Sequence, residues 1–161
     1  MRITTTIKSI AKAGVCSAIV MSAIAIGSFT QTAHAATPQT IELISTSKTY
    51  IGTPYKFGAP AGVTYAFDCS SFTQFIFKGL DIELPRTSAA QANVGEKVAK
   101  GSLSMGDLVF FNTNGKSISH VAIYAGNNKI IHSSSSNGVT LSDLDSSYWS
   151  KRYVTARRVL K

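Results

Sequence analysis

The amino-acid sequence predicts an α+β fold in which N-terminal helices pack on an antiparallel β-sheet. The chain has 161 residues, 44% of them hydrophobic and 15% charged, which suits one packed domain and excludes a largely disordered chain. Apolar residues follow a helical spacing in segments up to residue 94, and short apolar runs separated by turn residues begin at residue 107. Helices followed by strands are typical of the α+β class.

Residues 1–35 have the composition of a secretory signal peptide. A basic start is followed by an uncharged stretch over residues 13–29, and residues 33–35 read Ala-His-Ala, the A-x-A form of a cleavage site. Gly, Ser and Cys dilute the apolar stretch below the roughly 20 strongly apolar residues of a membrane span. We therefore expect cleavage before Ala36 and an exported domain over residues 36–161 that does not span a membrane.

The first predicted helix covers residues 40–51. Four apolar side chains fall on one of its sides, namely Ile41, Ile44, Tyr50 and Ile51. A turn at residues 52–54 follows, and then a loop that contains Gly and Pro up to residue 62. The helix is therefore expected to pack onto the core by that apolar side.

The second predicted helix covers residues 67–80 and has the clearest helical pattern. Its apolar side chains recur at spacings of three and four residues, at Phe72, Phe75 and Ile76. Asp68 lies where an N-cap is expected, which places Cys69 in the first helical turn. A loop over residues 84–88 then leads into a short predicted helix at 89–94.

Strands are predicted in the second half of the chain. The first is a continuous apolar run that ends at an Asn- and Gly-containing turn over residues 112–115. The next two flank Gly126, Asn127 and Asn128, which is a hairpin signal. The predicted strands are residues 107–111, 119–125, 129–133 and 153–160.

Cys69 is the only cysteine of residues 36–161, so an exported domain of this kind cannot be a disulfide scaffold. A thiolate is a far better nucleophile than a thiol, and the N-terminus of a helix lowers the pKa of a cysteine placed there. Asp68 opposes this effect with its negative charge unless its carboxylate is engaged in capping the helix. The thiol is a candidate nucleophile, and such a nucleophile requires an imidazole partner.

Two histidines of the predicted hairpin are candidates for that partner. His120 lies at the start of the strand over residues 119–125, and His132 lies 12 residues further on, in the partner strand. A three-residue loop pairs residue 125 with residue 129, and then both rings lie on one face with backbones roughly 7–8 Å apart. A two-residue loop would place them on opposite faces. We expect the three-residue loop, with His132 orienting the ring of His120.

Simpler explanations exist for the same three residues. A lone cysteine at a helix start is often a small buried residue, and a histidine in a strand is often a structural polar group. One cysteine and two histidines also form a possible three-ligand zinc site. No pair has a short ligand spacing such as C-x₂-C or H-x₃-H, so neither a metal nor another cofactor is expected. The sequence contains no phosphate-binding loop, G-x-S-x-G or H-E-x-x-H motif.

Five local strings point to a known family. They read Ile-Gly-Thr-Pro-Tyr-Lys-Phe-Gly at 51–58, Phe-Asp-Cys-Ser-Ser-Phe at 67–72, Leu-Pro-Arg-Thr-Ser at 84–88, Gly-Asp-Leu-Val-Phe-Phe at 106–111 and Ser-His-Val-Ala-Ile-Tyr-Ala-Gly at 119–126, followed by Ile131 and His132. In this order and spacing they resemble the NlpC/P60 family of bacterial cell-wall cysteine peptidases. The resemblance covers nearly all of residues 41–134.

The resemblance implies a papain-like α+β fold with the cysteine at a helix start and the histidine on the sheet. It implies that Cys69 is the nucleophile, that His120 is the general base and acid, and that His132 orients His120. It further assigns Tyr55 to the oxyanion region, and Asp68 and Ser70 to recognition of the substrate's amino end.

The chain departs from the family at two places. Ser71 stands where family members usually carry glycine, and Phe57, Gly58 and Ala59 stand where Trp-Gly-Gly is common. These positions bear on the shape of the substrate subsites rather than on the catalytic roles.

The reaction that the resemblance implies is hydrolysis of peptidoglycan stem peptides, commonly between D-γ-glutamyl and a diamino acid. A catalytically inactive wall-peptide binding module, and an amidase or acyltransferase on the same scaffold, are the alternatives. Of the 16 basic residues, three lie in residues 1–35, which hold none of the 8 acidic ones, so residues 36–161 carry a formal net charge of 13 − 8 = +5, which suits retention by anionic cell-wall polymers. Nucleic acid is not expected as a partner, because few aromatic residues lie among the basic ones. We expect a monomer that is secreted and extracellular or associated with a bacterial cell wall.

Overall fold

The computed structural model describes residues 36–161, so the predicted signal peptide lies outside the described residues. These described residues form four helices, namely α1 (Pro38–Thr49), α2 (Cys69–Lys78), α3 (Ser88–Gln91) and α4 (Ser147–Ser150), with a 3₁₀ turn at Lys100–Ser102. The same part of the chain forms six strands, namely β1 (Glu96–Val98), β2 (Leu108–Phe111), β3 (His120–Gly126), β4 (Lys129–Ser134), β5 (Gly138–Asp143) and β6 (Tyr153–Arg158). The predicted α+β class is confirmed.

The six strands form one antiparallel sheet in the order β1-β6-β2-β3-β4-β5. Its two faces are both covered, because side chains alternate along each strand. Leu108 and Phe110 of β2 pack with the helices α1 and α2, whereas Val109 and Phe111 pack on the other face with the residues around α4. All four are fully buried, which explains why β2 is a continuous apolar run rather than an alternating one.

Helix α1 is present, but the side by which it packs differs from the predicted one. Ile41 and Ile51 are 55% and 49% exposed, and of the four predicted apolar residues only Ile44 is fully buried. The buried side chains recur at helical spacing and are Thr40, Leu43, Ile44 and Ser47. The prediction was wrong because it excluded small polar residues from the buried side, although Ser47 donates its hydroxyl to the Leu43 carbonyl and is thereby satisfied within the helix.

Helix α2 begins directly after the predicted N-cap and is two residues shorter at each end than the predicted range of 67–80. Asp68 is its N-cap, and its carboxylate accepts a hydrogen bond from the Ser71 backbone N–H at 2.7 Å. The Ser71 hydroxyl in turn accepts from the Asp68 backbone N–H at 2.9 Å, which completes a reciprocal capping pair. Cys69 is therefore the first helical residue, with a backbone N–H that has no acceptor within the helix.

The β3–β4 hairpin has the predicted register but not the predicted loop. Gly126 pairs with Lys129, so the turn consists of Asn127 and Asn128, with φ of 50° and 56°. This is the positive-φ pair that a tight two-residue hairpin turn requires. Ala125 is an extra residue on β3 and forms a bulge, after which Tyr124 pairs with Ile130. Because of this extra residue, the side chains of β4 face the same side of the sheet as they would after a three-residue loop. A two-residue turn without the bulge would have placed them on the opposite side.

Four elements of residues 36–161 were not predicted, namely β1, the 3₁₀ turn, β5 and α4, and they are short or lie after residue 134. Strand β6 ends at Arg158, two residues before the predicted end, and is fixed there by an ion pair. The Arg158 guanidinium donates to both oxygens of buried Asp107, at 2.8 and 2.7 Å. Within residues 36–161, none of the helices has the length and apolar character needed to cross a membrane.

Candidate active site

The Cys69 thiol lies against the first residues of β3. Its Sγ atom is 4.0 Å from the Ser119 carbonyl oxygen, and the Val121 backbone N–H points towards the sulfur. These two residues flank His120 in the chain, so the packing of α2 on β3 brings the thiol next to this histidine. Cys69 is 8% exposed.

Burial changes the expected ionisation of the thiol. Burial raises the pKa of Cys69, and the negative charge of Asp68 raises it further, whereas the backbone N–H groups of Val121 and Ser70 lower it. The expectation that the helix N-terminus lowers the pKa of this thiol was wrong in its net direction, because removal from water outweighs the favourable N–H groups. The thiol therefore needs a base that takes its proton during the reaction.

The two histidine rings meet on one face of the hairpin. His120 Nε2 and His132 Nδ1 are 3.0 Å apart, and the ring planes are nearly perpendicular, at 86°. On the far side of His132, Nε2 lies 2.9 Å from the Ser142 hydroxyl of β5. The same-face arrangement predicted for the two histidines is confirmed, although the bulge at Ala125 produces it rather than a three-residue loop.

Both imidazoles are kept neutral by their surroundings. Burial, together with the smaller effect of the charge on His132, lowers the pKa of His120 to about 3. Burial likewise lowers the pKa of His132 to about 4. Because His120 Nε2 is engaged with His132, Nδ1 is the ring nitrogen that remains free to accept a proton.

Tyr55 is brought to the site by backbone pairing of the loop that contains it. Its backbone lies beside Phe67, with the Lys56 N–H donating to the Phe67 carbonyl at 3.0 Å. Burial raises the pKa of Tyr55, and nearby Cys69 and Asp68 raise it further. The phenol therefore stays protonated at neutral pH and is available as a hydrogen-bond donor.

One glycine allows this loop to approach the sheet. Gly138, the first residue of β5, has φ of +65°, and a Cβ atom there would overlap the Thr53 carbonyl. The Val139 N–H donates to that same carbonyl at 2.9 Å. Only glycine combines this backbone conformation with such a close contact.

Asp68 and Ser70 lie next to the loop that contains Tyr55 and Gly58, and both are 5% exposed. The Asp68 carboxylate accepts from the Arg86 guanidinium and from the Gly58 N–H at 3.1 Å. Arg86 also donates to the Ser70 hydroxyl at 3.0 Å and to the Ala59 carbonyl at 2.6 Å. Burial alone would raise the pKa of Asp68, but hydrogen bonds from Arg86 and Ser71 and the guanidinium charge hold the pKa below its usual range.

A cavity of about 430 Å³ opens beside the histidines. It is lined by hydroxyl, amide, imidazole and aromatic side chains, namely Tyr55, Thr113, Ser119, His120, His132, Ser134, Ser135, Ser136, Asn137, Ser142, Tyr148 and Trp149. None of these residues is Asp, Glu, Lys or Arg. In the described part of the chain, no three His, Cys, Asp or Glu side chains are grouped so that they could hold a metal ion.

Sequence reasoning did not single out three side chains of this region. Arg86 lies in the Leu-Pro-Arg-Thr-Ser string. A carboxylate that is buried at residue 68 needs a cation beside it, and this need was the signal that could have indicated Arg86. Ser142 and Trp149 follow the last quoted string, so no motif indicated them. Both become visible only when the sheet brings β5 and α4 beside the hairpin.

An α+β fold with a cysteine at a helix start and a histidine pair on the adjoining sheet is the framework of a papain-like thiol hydrolase. The model of the NlpC/P60 family matches residues 52–158. The chain belongs to the NlpC/P60 family.

Individual relatives agree with this assignment. The chain is 42% identical over 120 residues to a protein of Haemophilus influenzae named "Probable endopeptidase NlpC homolog", covering 73% of this chain and 62% of that protein. It is 39% identical over 127 residues to the "Gamma-D-glutamyl-L-lysine dipeptidyl-peptidase" of Bacillus cereus, covering 77% of this chain and 38% of the relative. The matched region therefore spans less than two thirds of either relative's length.

A solved structure has the same architecture. A crystal structure of an NlpC/P60 family protein from Bacillus cereus superposes with a TM-score of 0.72 at 37% sequence identity. The superposition covers 80% of this chain and 43% of that one.

Proposed function

We propose that this protein is a cysteine endopeptidase that hydrolyses peptidoglycan stem peptides at the bond between D-γ-glutamyl and a diamino acid. The observation that carries the proposal is the alignment of Cys69, His120, His132 and Ser142 on α2, β3, β4 and β5. Membership of the NlpC/P60 family and a relative named for the γ-D-glutamyl-L-lysine bond support the choice of substrate.

In the first half of the reaction, His120 Nδ1 accepts the proton of the Cys69 thiol as the sulfur attacks the scissile carbonyl carbon. The tetrahedral oxyanion accepts hydrogen bonds from the Cys69 backbone N–H and the Tyr55 hydroxyl. The C–N bond then breaks, and the proton on His120 passes to the leaving amine. A thioester between Cys69 and the glutamyl carbonyl remains.

In the second half, water attacks the thioester. His120 Nδ1 takes a proton from the water, and the C–S bond breaks as the thiol regains a proton. The products are the free carboxyl of the glutamyl residue and the free amine of the diamino acid.

The role of His132 is to fix the tautomer of His120. His120 can accept a proton at Nδ1 only when Nε2 carries hydrogen, and Nε2–H then donates to His132 Nδ1. His132 accepts there only when its own Nε2 carries hydrogen, which donates to the Ser142 hydroxyl. In both halves of the reaction, His120 therefore donates to His132, and His132 donates to Ser142.

Asp68 and Ser70 are proposed to recognise the amino end of the stem peptide. Asp68 keeps its negative charge because its pKa is held below the usual range, and an ammonium group near it gains from that charge. Arg86 holds both side chains, so it shapes this end of the substrate site.

The test is mass spectrometry of defined muropeptides incubated with the wild-type protein and with Cys69→Ala. We expect wild type to cleave after the D-glutamyl residue with addition of one water, and Cys69→Ala to give no product, because a methyl group offers no nucleophile. Acyl transfer in place of water addition would support an acyltransferase. Binding of muropeptides without cleavage by folded wild type would support a binding module instead.

We further propose that residues 1–35 are a secretory signal peptide and that the protein acts outside the cytoplasm. Sequencing the N-terminus of the protein recovered outside the producing cell tests this, with Ala36 as the expected first residue. The positive charge is proposed to hold the enzyme on the polyanionic wall. Release from isolated walls by about 0.5–1 M salt is then expected, because salt at that strength screens charges beyond a few ångströms.

A further inference from the structure

One aromatic side chain, that of Trp149, packs against both histidine rings. The indole of Trp149 stacks on the His120 imidazole with centroids 5.0 Å apart and planes at 29°. The same indole meets the ring of His132 at 4.8 Å and 80°. One side chain therefore contacts both imidazoles, in addition to the hydrogen bond that joins them.

The indole of Trp149 is also held in place by residues other than the two histidines. It packs on the buried ring of Phe111 at 4.7 Å and 61°, and Phe111 pairs with His120 in the sheet. Its own helix turn is capped by Ser146, and the guanidinium of Arg152 stacks at 3.8 Å over the neighbouring Tyr148 ring. The position of Trp149 is thus set by the sheet and by α4 together, independently of the histidines.

We propose that Trp149 is a positioning residue that fixes the plane of the His120 imidazole, so that Nε2 meets His132 and Nδ1 is left for the Cys69 thiol. This rests on the proposed function of the Cys69–His120 pair. A single hydrogen bond at Nε2 restrains one edge of the ring but leaves rotation about that bond free. A stacked indole removes that rotation, because the flat faces must remain nearly parallel.

The indole also suits the charged form of the ring. His120 becomes a cation when it takes the thiol proton, and the face of an indole attracts a cation placed over it. The same face excludes water from the imidazole, which strengthens the hydrogen bond to His132. Both effects require a flat aromatic face and not only an apolar volume.

The experiment compares Trp149→Phe with Trp149→Met. The two replacement side chains have similar volumes, so they differ mainly in whether a flat face is present, and a shared loss of stability does not affect the comparison. We expect Trp149→Met to lower kcat at least tenfold with KM within about twofold, and Trp149→Phe to retain most of kcat. Misplacement of a catalytic group by about 1 Å is enough to cost up to about a hundredfold in rate.

Tyr153→Leu is the matched control. Tyr153 packs edge-on against the same Phe111 ring, with centroids 6.4 Å apart, and its loss disturbs the same aromatic cluster without removing the cover of the histidines. We expect it to lower the melting temperature while kcat stays close to wild type. Equal kcat values for Trp149→Phe and Trp149→Met, or an equal loss in Tyr153→Leu, would overturn the proposal.

A second readout needs no substrate. Alkylation of Cys69 by iodoacetamide at pH 7, followed by mass spectrometry of the peptide that contains it, reports how readily the thiol loses its proton. A positioning role predicts slower alkylation in Trp149→Met than in wild type, by about fivefold or more, and recovery in Trp149→Phe. Simple packing predicts unchanged or faster alkylation, because loss of the indole would loosen the surroundings of the histidines and ease the access of the reagent.

This readout separates the two proposals. If wild type cleaves no stem peptide, the proposed function fails, whereas the alkylation rates still decide the role of Trp149. If stem peptides are cleaved and alkylation is unchanged or faster in Trp149→Met, the proposal for Trp149 fails and the proposed function stands.

Discussion

The Asp68 carboxylate is a buried group that accepts hydrogen bonds from four residues. It caps α2 through the Ser71 N–H, holds the loop through the Gly58 N–H, pairs with the Arg86 guanidinium and accepts from the Ser70 hydroxyl at 3.2 Å. The side chain of Asp68 is 7% exposed and that of Arg86 is 36% exposed. A carboxylate so far from water depends on every one of these donors.

Replacing Arg86 should therefore be costly. We expect Arg86→Met to lower the free energy of unfolding by about 3 kcal/mol, because it leaves a buried carboxylate without its cation. Arg86→Lys should recover part of this loss, since one ammonium cannot reach Asp68, Ser70 and the Ala59 carbonyl together. Urea unfolding at pH 7 measures both. A loss of under 0.5 kcal/mol in Arg86→Met would contradict this role.

Ser142 offers a test of the hydrogen-bond direction at the histidines. We expect Ser142→Ala to lower kcat by about fivefold, because the loss of one hydrogen bond of about 1 kcal/mol frees the other tautomer of His132. His132→Ala should lower kcat more than Ser142→Ala and less than Cys69→Ala does. Steady-state kinetics on the muropeptide substrate give this order. Wild-type kcat in Ser142→Ala would show that the tautomer of His132 is set elsewhere.

At the scale of elements, the β3–β4 hairpin depends on two residues with positive φ. Asn tolerates this conformation better than other side chains, and glycine tolerates it at the least cost. We expect Asn128→Gly to raise the free energy of unfolding by up to about 1 kcal/mol, since Asn-Gly is the preferred pair for such a turn. Asn128→Val should destabilise the protein. Thermal unfolding of the two variants, measured side by side, should therefore shift in opposite directions.

The sequence predicted the elements whose local pattern is complete. Helix α2 has both an N-cap at Asp68 and an apolar spacing, and β2 is a continuous apolar run, so both were predicted close to their observed bounds. Helix α1 was predicted to pack by the wrong side, because only the folded structure shows that Ser47 is buried and satisfied. Strand β5 has a mixed pattern and forms through its pairing with β4, which no local signal reveals.

The side chains of the candidate site also divide into those that a local sequence pattern indicates and those that it does not. Cys69, His120 and His132 could be named as candidates because their residue types are few and their spacing is interpretable. Ser142 and Trp149 come to the histidines through long-range pairing and have no spacing that could indicate them. The bulge at Ala125 could not be predicted either, because alanine is not a residue that indicates a bulge. Only the pairing of β3 with β4 on both sides of Ala125 shows it.

At the scale of the whole molecule, the two buried histidines make stability depend on pH. Their pKa values are lowered to about 3 and about 4 in the folded protein, whereas an unfolded chain takes up these protons near pH 6.5. The unfolded state therefore binds more protons below pH 6.5. Stability is fully present above that pH and is lost as the pH falls from about 6.5 towards 3, by roughly 1.4 kcal/mol for each pKa unit.

We expect the urea midpoint of the wild-type protein to fall steadily between pH 6.5 and pH 4. The titratable groups beside the two rings whose pKa values are shifted are the Cys69 thiol and the Tyr55 phenol, and burial raises both pKa values further above that interval. The double variant His120→Asn, His132→Asn should therefore lose much of the slope. An equally steep fall in the double variant would assign the pH dependence to carboxylates instead.

The bulge at Ala125 also restricts how this part of the chain can change length in evolution. Gain or loss of one residue at the hairpin tip would send His132 to the opposite surface of the sheet, away from His120 and Trp149. Inherited insertions and deletions that preserve the site must therefore come in twos, or must create or remove a bulge in the same event. Among descendants that keep the bulge unchanged, the number of residues separating the paired histidines should therefore change in even steps.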